Sequence, residues 1–155
     1  MGGPCFLVNA NGSRKVRGPS CTDNFQVRPF HFDGESWHSV EQCYQAMKYT
    51  NRSRQLIQQA SPHENESDRD YGHRVWFIGQ QDRNIRHDWE QVKIDIMHDI
   101  CLAKYMDNED LQNDLLATKE DKIVGAPSTW KWQKWNGIIQ SEIRKVLREM
   151  KHKDL

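Results

Sequence analysis

Apolar positions recur at helical spacing in the second half of the chain. Trp89, Val92, Ile96, Ile100 and Tyr105 fall on one helix face, and Glu90, Lys93, Asp95 and Asp99 between them are expected to face water. Ile139, Ile143, Leu147 and Met150 predict a C-terminal helix with Arg144, Lys145 and Arg148 outside, and Leu111, Leu115 and Leu116 predict a short one before it. The first half alternates instead. Residues 27–37 swing about Asp33-Gly34, a dipeptide whose positive backbone angles suit a two-residue hairpin turn. Short strands are expected at residues 5–8 and 122–124. The polar run between the first of them and the hairpin, which carries Arg14, Lys15 and Arg17, reads as a solvated loop. Ser39 with Gln42 three residues on has the form of a capping box, so a helix is predicted from there to about Gln59, before Pro62 stops it, and residues 63–70 read as loop. With no internal repeat and no low-complexity segment, the pattern predicts one α+β domain over residues 1–155, mostly helical with a small antiparallel sheet.

Composition narrows the function classes. A chain of 155 residues is long enough to bury roughly two-thirds of its unfolded surface. Its 22 basic and 22 acidic residues cancel, so no global field draws it to nucleic acid or to an anionic membrane, and any phosphate recognition has to be local. No apolar run approaches a membrane span, and the opening MGGPCFLVNANGSRKVRG lacks the form of a signal peptide, which predicts an intracellular protein, cytoplasmic or nuclear, with no membrane partner and reduced thiols. Cys5, Cys21, Cys43 and Cys101 form no CxxC pair and no histidines take HExxH spacing, so no metal site and no cofactor are expected. Six tryptophans are a heavy load for a chain only 36% hydrophobic, and some are expected to line a cleft.

One stretch, WHSVEQCYQAMKY over residues 37–49, carries an unusual combination. On a helix Glu41, Gln45 and Lys48 stand at i, i+4 and i+7 and share a stripe, with Tyr44 beside them. Spacing alone fits an exposed ion-pair ladder as well as a catalytic group.

The residues Trp37, Ser39, Glu41, Tyr44, Gln45 and Lys48 resemble the signature W-x-S-x-E-x-x-Y-Q-A-x-K of the NADAR family. Asn24-Phe25, Pro29-Phe30, Gly79 as a loop glycine, Arg86-His87-Asp88-Trp89, Ala103-Lys104-Tyr105, Leu115-Leu116-Ala117-Thr118, Ile123-Val124, Trp132 and Asn136 are similar to its later segments, so the likeness covers roughly residues 6–150. It implies a domain that cleaves N-glycosidic bonds to phosphate-bearing ribose, including removal of ADP-ribose from guanine. The expected partners are then ADP-ribose and an ADP-ribosylated nucleobase in nucleotide, DNA or RNA, handled by a monomer. Where the family has Ile-Val-Glu, then an Asp and Trp-Gly, this chain reads Ile123-Val124-Gly125-Ala126-Pro127-Ser128-Thr129-Trp130-Lys131-Trp132, and the acidic pair is missing.

Cleaving an N-glycoside develops positive charge at the anomeric carbon while the base nitrogen gains a proton, work for which a carboxyl group is suited. Glu41 is the expected acid, base or charge stabiliser. Lys48 is expected to act with it, as an amine that forms a Schiff base with the ring-opened sugar or as an ammonium that holds phosphate. An adjacent carboxylate raises a lysine pKa, whereas a nucleophilic amine needs it lowered by burial or by another cation. Asn24, Phe25, Tyr44, Gln45, Arg86, Trp89, Trp132 and Asn136 are the expected substrate-binding residues. Two other readings are a non-catalytic ADP-ribose reader and an N-glycosidase of riboflavin-pathway intermediates.

Overall fold

The computed structural model describes residues 3–153. Along the chain lie strands β1 (Phe6–Val8), β2 (Lys15–Arg17), β3 (Phe30–Phe32) and β4 (Glu35–Trp37), then helices α1 (Val40–Met47), α2 (Arg52–Gln58), α3 (Asp68–Gln80), α4 (Trp89–Met106) and α5 (Glu109–Leu116), strand β5 (Lys122–Val124) and helix α6 (Trp132–Lys153). All strand pairs are antiparallel, and the class is α+β, largely helical. The elements divide into two compact units. One is Phe25–Asp107; the other joins the chain up to Asn24 with the chain from Asn108 onward. Among the described residues no helix is long and apolar enough to cross a membrane.

In the Phe25–Asp107 unit, β3 and β4 form the expected hairpin, with Phe30 opposite Trp37 and with Asp33 and Gly34 at φ 53° and 78°. Helix α1 packs against α2, α3, α4 and β4, and every residue from Val40 to Met47 is buried. The helix expected to reach Gln59 is two helices. Tyr49 turns into the core, its hydroxyl donating to the carbonyls of Gly79 and Asp82, and Asn51 then caps α2 by accepting a bond from Ser53 N at 2.9 Å. An Asn that bonds the backbone ahead of it favours a restart over continuation.

Helix α3 does not show in the apolar pattern, because its buried face is Tyr71, Gly72, Val75 and Gly79 while Trp76 and Phe77 are exposed. Its start is an ordinary one: Ser67 Oγ accepts from Asp70 N at 3.1 Å, and Asp68 and Asp70 lie in the first turn, where a helix favours negative charge. The two glycines are close-approach sites. A Cβ on Gly72 would lie 2.4 Å from the Phe25 ring, and one on Gly79 would lie 2.6 Å from Gln45 Oε1, so Gly79 is a packed helical residue and not a loop glycine. The buried face of α4 runs through Trp89, Lys93, Met97, Ile100, Cys101, Lys104 and Tyr105. It is rotated from the expected stripe, leaving Val92 and Ile96 half-buried and taking Lys93, expected in water, to 6% exposure.

In the other unit the sheet order is β2-β1-β5. Strand β2 lies inside the stretch read as loop, where Asn9 closes a hairpin by accepting from Arg14 N through Oδ1 and donating from Nδ2 to Ser13 Oγ, both at 3.0 Å. Helix α6 crosses β5 through Gly137, whose Cβ would meet Ile123 O at 2.8 Å. Arg144, expected outside, is buried: its Nη1 donates to Thr118 Oγ1 and to Asp121 O, both at 2.8 Å, and so holds the turn that follows α5. Met150, expected inside, is exposed beyond Leu147, the last residue that this face buries.

Candidate active site

The stripe on α1 is interior. Glu41 is 0% exposed and Gln45 nearly so, which rules out a solvated ion-pair ladder. Gln45 Nε2 donates to Glu41 Oε1 at 2.8 Å, while Gln45 Oε1 is buried without a hydrogen-bond partner among the described residues. Leaving an amide oxygen so costs about 1–3 kcal/mol, a defect that folds tolerate where a ligand will supply the donor. Lys48 is the last residue of the stripe and caps α1. Its Nζ lies 5.6 Å from the centroid of the Tyr44 ring, and that ring is tilted against Trp89 at 5.0 Å. Arg86 N donates to Lys48 O at 2.9 Å, tying the end of α1 to the approach to α4. Glu41, Tyr44, Gln45, Lys48 and Trp89 are thus one contiguous group in the Phe25–Asp107 unit.

Gln42, on the same helix, does different work. Its Nε2 donates to the carbonyls of Ile57, Gln58 and Ala60 at 3.0, 3.0 and 3.1 Å, and its Oε1 accepts from His38 N at 2.7 Å. Half of the expected capping box forms, with Ser39 Oγ accepting from Gln42 N at 3.1 Å; the return bond goes to His38 N.

Electrostatically the group shifts Lys48 towards the neutral amine. Burial pushes the Lys48 ammonium below the usual lysine range, Glu41 pulls the other way, and Lys93 lowers it again. The carboxylate alone would have raised it; low local polarity and a second cation reverse the sign. Lys93 is a buried cation acting on Lys48 that the apolar pattern missed. Its place was readable, four residues after Trp89 and four before Met97, had a lysine been allowed on the inner face. Lys93 Nζ reaches Glu90 Oε2 at 2.7 Å.

The remaining expected residues divide. Arg86 forks onto Asp88 with bonds of 2.6 and 2.8 Å, so a phosphate at Arg86 has to compete with a carboxylate already in place. Phe25 is buried edge-on to His73 and against Gly72, two helical turns along α3 from the glycine that meets Gln45. Asn24 and Asn136 belong to the other unit, where Asn24 Nδ2 donates to Asn136 Oδ1 at 3.4 Å. Trp132 is buried there, tilted against Trp130 at 5.3 Å. In the same unit Gly125 has no room for any side chain, since a Cβ would fall 1.9 Å from Gln133 O.

The N-glycosidase Npun_R5314 of Nostoc punctiforme is 28% identical over 110 residues, covering 67% of this chain and 64% of that protein. The N-glycosidase YbiA of Shigella flexneri is 29% identical over 106 residues, 65% of this chain and 59% of the relative. The chain therefore spans about three-fifths of the length of these relatives. The NMR structure of the E. coli protein YbiA superposes with a TM-score of 0.70 at 25% identity, covering 85% of this chain and 80% of that one. The NADAR domain model matches residues 13–136, a span that includes the whole Glu41–Lys48 stripe and the α4 face beside it, and the chain belongs to the NADAR domain family.

Proposed function

We propose that this chain is an N-glycosidase that removes ADP-ribose from a nucleobase, with guanine in nucleotide or nucleic acid as the substrate class and Lys48 as the nucleophile. The observation that carries the reading is the position of the Lys48 amine, half-buried over the Tyr44 ring at the end of the stripe that begins with the buried Glu41. That two relatives are N-glycosidases supports the reaction type. Glu41 delivers a proton to the ribose ring oxygen as the ring opens. The Lys48 amine then adds to the anomeric carbon, and the base nitrogen leaves with its electron pair and takes up a proton. The resulting imine is hydrolysed by water, which returns the free amine and ADP-ribose. The unpartnered Gln45 Oε1 supports a role as acceptor for a ribose hydroxyl, and the Tyr44–Trp89 pair one as an aromatic wall for base or sugar.

A second reading, a non-catalytic ADP-ribose binder, draws on Gly125, where an acidic residue of the family pattern is replaced by a position closed to side chains. Incubating the chain with an oligonucleotide that carries ADP-ribosylated guanine separates the two. Release of free ADP-ribose, with an imine adduct trapped by borohydride, is expected of the enzyme. Binding without release would leave only the reader, and turnover confined to riboflavin-type ribosyl phosphates would replace the nucleobase substrate.

A further inference from the structure

The unit that contains α6 carries a second surface outside the Glu41–Lys48 group. Among the described residues four non-glycine positions have positive φ: Asp33, Asn65, Lys119 and Trp130. Asp and Asn tolerate this region through their short polar side chains, and Lys119 follows closely on the end of α5. Trp130, at φ 52°, has neither excuse, since a bulky aromatic there carries a steric penalty that the surrounding structure has to maintain. What the strained backbone achieves is display. Trp130 is 48% exposed, its inner side tilted against the buried Trp132 and its neighbour Lys131 placing Nζ 5.9 Å from its ring. One turn into α6, Lys134 Nζ lies 5.3 Å from the ring of Trp135.

Charge gives this surface a direction. The chain has 22 acidic residues in 155, yet between Asp121 and Glu142 there is none, while Lys122, Lys131 and Lys134 fall in that interval with Trp130, Trp132 and Trp135. A neutral protein thus holds a local acid-free segment in which cations and indoles alternate. The exposed Trp76 and Phe77 on α3 differ, because that helix opens with Asp68 and Asp70. Aromatic faces interleaved with lysines match a nucleic-acid strand with unstacked bases; in a duplex the base faces are already covered.

We infer that residues 128–135 form a stacking platform for single-stranded nucleic acid, with a base on the outer face of Trp130 and the adjacent phosphates on Lys131 and Lys134. The inference rests on the proposed function in one respect: it makes a strand, and not a free nucleotide, the carrier of the modified base. Its binding step is nonetheless measurable without turnover.

The test is fluorescence anisotropy of the full chain with a labelled, unmodified single strand of about a dozen nucleotides, enough to span one such site. Affinity is expected to fall with salt, and removing Lys131 and Lys134 together is expected to flatten the log–log salt dependence by about 0.7 per lysine. Trp130→Ala is expected to weaken binding about tenfold, the scale of one lost base stack. Trp130→Gly relieves the strained φ, so it is expected to be at least as stable as the alanine variant and to bind as poorly. Trp76→Ala is expected to bind like the parent. Binding indifferent to both Trp130 substitutions, equal affinity for a duplex, or an equal loss in Trp76→Ala would each overturn the platform. With a modified oligonucleotide, Trp130→Ala is expected to raise KM about tenfold at unchanged kcat, and to leave release from a modified mononucleotide untouched. A chain that binds strands through Trp130 yet releases no ADP-ribose would retain the platform and lose the glycosidase reading. One that cleaves a mononucleotide while strand binding ignores Trp130 would do the reverse.

Discussion

Helices α1 and α6 both bury polar side chains, and they do so for different ends. On α6 the buried Arg144 joins Thr118 and Asp121 and fastens a turn. On α1 that structural duty falls to Gln42, which binds three carbonyls and an amide. Its neighbours differ. Glu41, Gln45 and Lys48 hold a carboxylate, an amide oxygen with no donor and an amine pushed towards neutrality in a helix with no exposed residue. Burial of polar groups therefore does not by itself mark a site. What separates the two cases is whether the buried groups are spent on the fold.

If that contrast is right, substitutions on α1 should sort by residue and not by depth. The largest effect is expected at Lys48: Lys48→Arg should keep the positive charge and lose turnover and borohydride trapping completely, because an arginine does not deprotonate to form an imine. An arginine variant that still cleaves would reduce Lys48 to a charge. Next comes Glu41→Gln, expected to retain ADP-ribose binding by calorimetry while turnover falls about a hundredfold, the scale of a lost acid–base group. Gln42→Ala should do the opposite, lowering stability to urea by about 2–3 kcal/mol through stranded backbone groups while kcat of the folded fraction stays near the parent value. A matching loss of kcat would erase the distinction between Gln42 and its neighbours.

The smallest expected effect is on pH dependence. On the proposed mechanism Lys48 reacts as the neutral amine, so turnover should rise as pH climbs through its lowered pKa and level off above it. Burial is the larger cause and is left intact in Lys93→Gln. Removing the Lys93 charge cancels one lowering influence, leaving Glu41 to pull the pKa up, and the rising limb should move to higher pH with less turnover at neutrality. A pH–rate profile that does not move would show that Lys93 has no part in setting the amine.

The hairpin at Asp33-Gly34, strand β5 and the helices about Trp89, Leu111 and Ile143 were readable because each follows a local rule of turn chemistry or periodicity. Helix α3 was not, since its inner face is built on two glycines whose value lies in the partners they admit, Phe25 and Gln45. Lys93 and Arg144 misled for a related reason. Hydropathy places charged residues outside, whereas Arg144 is held inside by Thr118, distant in sequence, and Lys93 lies on an inner face while its amine reaches Glu90. The Glu41–Lys48 stripe was visible as spacing, but spacing could not say whether it faced water. Only packing on α2, α3 and α4 decides that.

The closed position at Gly125 bears on how this chain could change. A side chain there would collide with the backbone carbonyl of Gln133, and backbone does not swing aside as the tip of a side chain does. The acidic residue of the family pattern thus cannot return by one codon change; the start of α6 would have to be rebuilt first. Acidic chemistry in that unit is therefore expected to be introduced more readily at another position than at this one.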